Sequence, residues 1–244
     1  MKIAIAKGHT LRGKGTGAVG IRKETDLNRP LADRVMDKLK SLSHEIVECV
    51  IDESNSDLAY RVNKANAANV DLYVEIHFNS FDGSASGTEV HTYRAGLKAN
   101  DYAQRVVNEI AKLGYKNRGV KHSDFYVLRK TNMEAILIEC CFIDSQEDMN
   151  RYDVEAMANA IVLGLVGSLP EESKPQPQPN IQYGVVTADR LNVRAGRGTN
   201  YDIWDTLKNG TKVELGSLEN GWYLVYYNGG KASGYVSAQY IKKD

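Results

Sequence analysis

Two histidines and one glutamate stand at the ends of apolar segments, where their side chains could do chemistry together. His9 follows the segment KIAIAKG, His77 closes DLYVEIH, and Glu139 ends AILIE. In open sheets of parallel strands, ligands bind just beyond the carboxyl ends of the strands, so we expect these three side chains to share one crevice. Two imidazoles and one carboxylate that leave one coordination position open are typical of a catalytic zinc site.

A zinc site of this kind is suited to hydrolysis. Zinc lowers the pKa of a bound water from about 15.7 to about 7 and polarises a carbonyl oxygen. A nearby carboxylate that is not a ligand then serves as the general base. Glu139 favours a functional role because burying an unpaired carboxylate in an apolar run is costly. Glu75, two residues before His77, shares its strand face if the pleat alternates regularly, so it is either a competing ligand or a partner behind the metal.

The elements that must position these residues alternate between strand and helix signals. Short apolar runs predict buried strands, and apolar residues at intervals of three or four predict helices. The predicted strands cover 2–6, 44–50, 71–78 and 134–140, and the predicted helices carry Leu27 to Leu42, Asp57 to about Asn69, Tyr102 to Leu113, and Val154 to Leu165. This alternation predicts an α/β fold with a mostly parallel sheet flanked by helices.

A proline-rich segment divides the chain. Four of the five prolines fall in residues 168–180, a composition typical of an extended spacer. We therefore expect a catalytic domain at 1–168, a linker at 169–180 and a second domain at 181–244. The second domain has no helical period, and its short apolar segments are separated by Asn-Gly turns. This pattern predicts a small all-β barrel.

Charge and composition exclude several classes of protein. The net charge is zero, and the residues after 168 carry 9 basic and 8 acidic side chains, so neither part has the basic excess of a nucleic-acid-binding protein. The first apolar run is too short for a signal peptide, and no stretch has the roughly 18 apolar residues of a membrane span. We therefore expect synthesis in the cytoplasm without a signal peptide. The cysteines give no disulfide framework, because their number is three and two of them are adjacent. We expect them to be small buried hydrophobic residues.

The order of these motifs resembles the zinc-dependent N-acetylmuramoyl-L-alanine amidases of the amidase-3 group. The resemblance implies that His9, Glu24 and His77 bind one zinc ion and that Glu139 is the general base. The opening turn AKGHT and the Cys-Cys pair after Glu139 depart from the family pattern. The segments that carry the resemblance are IAIAKGH, ETDLN (24–28), RVNKAN (61–66), EIHFNS (75–80), GTEVHTY (87–93), YVLRKT (126–131, a strand in the family) and AILIECCFID (135–144).

Three further residues of the first domain are interpreted as substrate-binding. Asn79 is the Asn of the His-x-Asn motif at the end of a strand. His91 alternates with Glu89 and Tyr93 on one face of a strand and is expected to line the groove. His122 lies in the segment RGVKHSDFYVL, which we expect to form a loop near the site.

The second domain resembles the bacterial SH3-type cell-wall modules. Its segments LNVRAG, NGT and GYV carry the resemblance, which implies that Asn192 and Arg194 fix the fold and that aromatic residues on one face contact the wall. Alternation puts Tyr223 and Tyr227 on one face of a strand and Trp222 on the other. We expect Tyr223 and Tyr227 to contact the wall and Trp222 to fill the core.

Together these resemblances imply hydrolysis of the amide bond between N-acetylmuramoyl and L-alanine in peptidoglycan. A phage or prophage endolysin is the expected setting, with export through a holin pore and a Gram-positive wall as substrate. The alternatives are a zinc peptidase that acts on stem peptides, a bacterial autolysin with the same amidase chemistry, and a catalytically inactive wall-binding protein. Intact His9, Glu24, His77 and Glu139 weigh against the last of these.

Overall fold

The structure, a computed structural model, describes residues 1–170, 182–230 and 232–243. The chain divides into two compact units. The first comprises residues 1–152 and 156–170, and the second comprises residues 153–155 and the residues after 170. Most of the predicted linker, residues 171–180, lies outside the described residues, as do residues 181, 231 and 244.

The first unit is built on a six-stranded sheet within residues 1–170. Its strand order is β3-β1-β5-β8-β6-β7. Pairing is parallel throughout except between β6 and β8, which confirms the mostly parallel sheet. Two short strands, β2 (Arg12–Gly13) and β4 (Glu53–Ser54), pair separately. The sheet strands are β1 (Lys2–Lys7), β3 (Glu45–Cys49), β5 (Leu72–Asn79), β6 (Thr88–Thr92), β7 (Asn117–His122) and β8 (Glu134–Phe142).

Helices flank this sheet, as the apolar spacing predicts. In residues 1–170 they are α1 (Glu24–Ser41), α2 (Asp57–Ala67), α3 (Ala99–Ala111), α4 (Tyr126–Lys130), α5 (Gln146–Arg151) and α6 (Val154–Val166). The stripe of Leu27, Leu31, Val35 and Leu39 on α1 is at most 1% exposed. Each such side chain contributes about 2 kcal/mol through burial. Helix α1 packs against β1 and β5, while α3 packs against β6, β7 and β8.

Three local predictions in the first unit were wrong. Residues 126–130 form a helical turn rather than a strand, with Val127 and Leu128 buried. Residues 117–122 form an edge strand rather than a loop. The strand at 45–49 also lies at a sheet edge, so only Cys49 is fully buried there instead of the whole segment.

The described residues of the second unit form a seven-stranded antiparallel sheet, which confirms the all-β prediction. Its order is β11-β10-β14-β13-β12-β9-β15. A short 3-10 turn at Ala238–Tyr240 precedes the last strand. The strands are β9 (Gln182–Val186), β10 (Arg190–Arg194), β11 (Ile203–Lys208), β12 (Lys212–Glu219), β13 (Trp222–Tyr227), β14 (Ala232–Ser237) and β15 (Ile241–Lys243).

The two faces of β13 are reversed relative to the prediction: the tyrosine face, not the Trp222 face, packs in the main core. Tyr223 and Tyr227 are 4% and 6% exposed and belong to the core, together with Val225. Their predicted role as wall contacts is therefore wrong. A small sheet needs large rings to fill its core, and the Tyr227 hydroxyl still reaches a partner, since it donates to Asp205 Oδ2 at 3.0 Å. Trp222 lies on the other face and is only partly buried.

Two further expectations concern the whole chain. Cys49, Cys140 and Cys141 are buried free thiols, in agreement with the sequence. Among the described residues, no helix combines the length and the apolar character that crossing a membrane requires.

Candidate metal centre

The end of β1, the start of α1 and the end of β5 bring His9, Glu24 and His77 together. One ligand atom from each of these residues lies within 4.8 Å of the others. The Glu24 carboxylate lies between the two rings, with Oε2 3.0 Å from His9 Nε2 and Oε1 2.9 Å from His77 Nδ1. The ring centroids are 4.7 Å apart, with an interplanar angle of 82°. The predicted ligands therefore form one cluster.

In each imidazole, one ring nitrogen faces Glu24 and the other nitrogen, the outer one, contacts a hydrogen-bond acceptor away from the cluster. His9 Nδ1 lies 3.0 Å from the carbonyl oxygen of Gly15, which can only accept a hydrogen bond. His77 Nε2 lies 2.9 Å from Glu75 Oε1. An outer acceptor of this kind fixes the tautomer of a metal-binding histidine and leaves the other nitrogen unprotonated for the metal. Two nitrogens and one carboxylate in this arrangement fit a zinc ion.

Two glycines let the backbone approach these side chains. A Cβ on Gly8 would lie 2.4 Å from His77 Cε1, so any other residue there would displace the ring. Gly17 has φ +81°, and a Cβ on it would lie 2.9 Å from His9 Cδ2 and 3.0 Å from Glu24 Oε2. The sequence reasoning noted the Gly8–His9 turn but missed Gly17. The glycine-rich segment between His9 and Glu24 was the available signal.

The cluster concentrates negative charge around His77. Burial alone would raise the pKa of Glu24, but hydrogen bonds from His77 and His9 outweigh it and hold this pKa well below its usual range. Burial alone would lower the pKa of His77, yet hydrogen bonds to Glu24 and Glu75 raise it to about 10. Without a metal, the site therefore favours a positive charge between two carboxylates. A bound cation takes the place of that proton.

A buried network lies behind His77. Glu75 is 0% exposed and accepts from the Tyr73 hydroxyl and from Arg61 Nη2, the latter at 3.2 Å. The same Arg61 nitrogen lies 2.9 Å from Asp57 Oδ2. Burial opposes ionisation of Glu75, but the charge of Arg61 and the His77 hydrogen bond lower its pKa to about 2. Of the two roles left open for Glu75, the geometry favours a partner behind His77 over a ligand.

Glu139 lies next to His77, as its register partner on β8. Its Oε2 atom is buried and has no hydrogen-bond partner among the described residues. Burial raises the pKa of Glu139 to about 8. A buried carboxylate oxygen without a partner is costly unless a ligand or water completes it. The arrangement suits a group that takes up and releases a proton near neutral pH.

Comparison with known proteins identifies the first unit. Residues 3–169 match the family described as N-acetylmuramoyl-L-alanine amidase. The chain belongs to this family. Residues 189–242 match the bacterial SH3 domain.

Proteins similar to this chain include curated proteins and solved structures. The endolysin of Bacillus phage SPP1 is 33% identical over 168 residues, which cover 64% of this chain and 60% of the endolysin. The amidase LytC of Bacillus subtilis is 33% identical over 153 residues, which cover 61% of this chain and 31% of LytC. The catalytic domain of an endolysin that targets Clostridium difficile is 30% identical with a TM-score of 0.63, covering 69% of this chain and 98% of that domain. The chain spans about half the length of the first curated relatives it matches, 47% and 56%.

Glu89 connects the site to a further polar group. It is the register partner of Glu139 on the neighbouring strand β6. Glu89 Oε1 accepts from Asn79 Nδ2 at 3.1 Å, and Oε2 accepts from Arg118 Nε at 2.8 Å. Hydrogen bonds with His91 and Arg118 outweigh burial and lower the pKa of Glu89 to about 2. Glu89 and Arg118 were missed as site residues because acids and bases on a strand face are common in sequence.

The two remaining predicted substrate contacts differ in their surroundings. His91 is 8% exposed, with Nδ1 2.8 Å from Ser123 Oγ and its ring against Phe125. His122 is exposed at the end of β7, where its Nδ1 lies 3.0 Å from Thr92 Oγ1. The structure therefore places His91 in the polar group beside Glu89, whereas His122 lies at the surface.

Proposed function

We propose that the chain is a zinc-dependent amidase that hydrolyses the bond between N-acetylmuramoyl and L-alanine in peptidoglycan. The observation that carries this proposal is the cluster of His9, Glu24 and His77 beside Glu139, whose buried Oε2 atom has no partner among the described residues. Membership of the amidase family supports the choice of bond.

The residues divide into ligands, orienting groups and a base. His9 Nε2, His77 Nδ1 and the Glu24 carboxylate would hold the zinc ion, which when bound supplies a Lewis acid and activates water. The Gly15 carbonyl and Glu75 keep the two rings turned so that these nitrogens face the site. Glu139 takes up a proton at Oε2 and delivers it to the leaving nitrogen of L-alanine.

The second unit is proposed to hold the amidase on its insoluble substrate. Its match to the bacterial SH3 domain supports a role in wall binding. The similarity to a phage endolysin supports a lytic function. The proposal includes a Gram-positive wall as substrate, synthesis in the host cytoplasm and export through a holin. The similarity to LytC leaves a bacterial autolysin with the same chemistry as the second setting.

End-group analysis of digested peptidoglycan tests the proposed reaction. Purified Gram-positive wall treated with the protein should gain amino-terminal L-alanine, without new reducing sugars or free D-alanine. Glu139→Gln serves as the matched control, because it keeps the side-chain volume and removes the base. New amino termini on any other residue would replace the amidase assignment with that of a wall peptidase.

A further inference from the structure

A groove on the second unit is separate from the metal centre. It has a volume of about 380 Å³. Side chains from β10, from the start of β13 and from the turn after β14 line it. Those that matter for recognition are polar or aromatic, namely Arg190, Asn192, Arg194, Trp222, Gln239 and Tyr240.

Alternation along β10 builds one wall of this groove. Arg190, Asn192 and Arg194 occupy every second position. Leu191 and Val193 between them belong to the core and are 4% and 0% exposed, although Leu191 also borders the groove. The side chains that β10 contributes to the groove are mainly polar, because the apolar side chains of this strand pack in the core.

The groove offers several hydrogen-bond donors to a ligand. Within the described residues, the side chains of Arg190, Trp222 and Gln239 make no hydrogen bond or ion pair, and Arg194 donates one bond, from Nη1 to the Tyr201 carbonyl oxygen at 2.8 Å. The residues that line the groove include no Asp or Glu. Two guanidinium groups in a groove that no acid lines suit a ligand that carries carboxylates, since a guanidinium binds a carboxylate through paired, charge-assisted hydrogen bonds.

We propose that this groove binds the carboxylate groups of peptidoglycan stem peptides, an inference that rests on the wall-binding role in the proposed function. Trp222 and Tyr240, the latter 42% exposed, would pack against apolar side chains of the peptide. A phosphate polymer fits less well, because the residues after 168 carry 9 basic and 8 acidic side chains and offer no basic stripe to a repeating polyanion. A neutral glycan would leave both guanidinium groups without a charged partner.

Fluorescence of Trp222 gives a direct test. The chain has two tryptophans, so the full-length Trp204→Phe variant reports on Trp222 alone. The probe is the synthetic peptide L-Ala-γ-D-Glu-L-Lys-D-Ala, which lacks the muramoyl bond and is not a substrate. We expect a saturable change in emission. Amidation of the carboxylates of the peptide should lower its affinity roughly 10-fold or more.

Charge-matched variants locate the binding site. Arg190→Gln should lower the affinity for the peptide roughly 10-fold or more. Lys242→Gln removes one positive charge on exposed β15, outside the groove, and should leave the affinity unchanged. Equal binding of the free and amidated peptides, or emission changes only with N-acetylglucosamine oligomers or glycerol phosphate, would overturn the proposal.

Hydrolysis of a soluble muramoyl peptide separates this inference from the proposed function. Arg190→Gln should hydrolyse it at the wild-type rate, because the groove is not part of the metal centre. If the wild type releases L-alanine termini but binds no stem peptide at Trp222, the groove assignment fails and the amidase assignment stands. If the wild type binds the peptide but releases no such termini, the amidase assignment fails instead.

Discussion

Replacing Glu75 with Gln should weaken both the fold and the metal site. The side chains of Glu75 and Arg61 are each 1% exposed, and Arg61 Nη2 lies 3.2 Å from Glu75 Oε1. Glu75→Gln keeps the shape of the side chain and an acceptor oxygen, but it removes the charge that faces Arg61 and His77. The variant therefore isolates the charge of this buried group.

The expected size of the effect follows from burial. Removing one partner of a buried ion pair costs about 3–5 kcal/mol, because the other charge stays buried. Asp57, whose side chain is 16% exposed, still lies 2.9 Å from Arg61 and retains part of the pairing. We therefore expect a loss near the lower end, about 3 kcal/mol of unfolding free energy. Loss of the charged acceptor behind His77 should also weaken zinc binding by about 10- to 100-fold.

Two measurements on the metal-free and zinc-loaded protein check this prediction. Urea unfolding in the presence of a chelator reports the stability of the fold without metal. Competition with a chromophoric chelator reports the zinc affinity. Glu45→Gln is the matched control, since Glu45 pairs with Lys2 at 3.0 Å on the neighbouring part of the sheet but is 67% exposed. This control should change stability by less than about 1 kcal/mol.

Either of two results would refute the reasoning. If Glu75→Gln unfolds at the same urea concentration as the wild type without metal, the buried pair with Arg61 does not stabilise the fold. If the variant is destabilised but binds zinc as tightly as the wild type, Glu75 does not orient His77.

Three further predictions concern the site. Gly17→Ala and Gly96→Ala should each lower the free energy of unfolding by about 1 kcal/mol, since both positions have φ near +80°. Only Gly17→Ala should weaken zinc binding, because its Cβ would lie 2.9 Å from His9 Cδ2. Equal zinc affinities of the two variants would contradict this prediction. Glu139→Gln should keep zinc and slow amide hydrolysis by about 10²- to 10⁴-fold in a single-turnover assay, and near wild-type rates would disprove its role. Because the pKa of Glu75 is about 2, below its ordinary 4.5, its charge stabilises the fold above pH 4.5, and this stability is lost as the pH falls towards 2. The urea midpoints of the wild type and of Glu75→Gln should therefore converge in acid. A constant difference between the two midpoints would contradict the low pKa.

Long periodic elements could be predicted from the sequence because burial follows their repeat. The stripe Leu27, Leu31, Val35 and Leu39 predicts α1, and the structure buries all four residues. Short elements could not be predicted in this way. Tyr126–Lys130 is a single turn, too short to show a helical period, and its paired apolar residues read equally well as a strand.

Strand alternation predicted two faces for β13 but not which face meets the core. Tyr223 and Tyr227 do share one side, as expected, yet that side is buried while Trp222 lies in the groove. The choice depends on how β13 packs against the other strands of its sheet, which no local pattern records. The same limit applies to Glu75, whose position behind His77 depends on Arg61 from another element.

Some residues of the metal centre could be predicted from the sequence pattern, whereas one could not. His9, His77 and Glu139 could be found from their positions at the ends of apolar strands. Glu24 came only from the family resemblance, because an acid at the start of a helix is common. The geometry supports the role proposed for Glu24, since its carboxylate lies between both imidazoles.

Metal analysis of variants tests the central claim most directly. After stripping and reloading, the wild type and Glu139→Gln should each hold about one zinc per chain, because Glu139 is not a ligand. Glu24→Gln should lose that zinc while remaining folded by circular dichroism. Full zinc content in Glu24→Gln, or its loss in Glu139→Gln, would contradict the assignment of His9, Glu24 and His77 as the ligands.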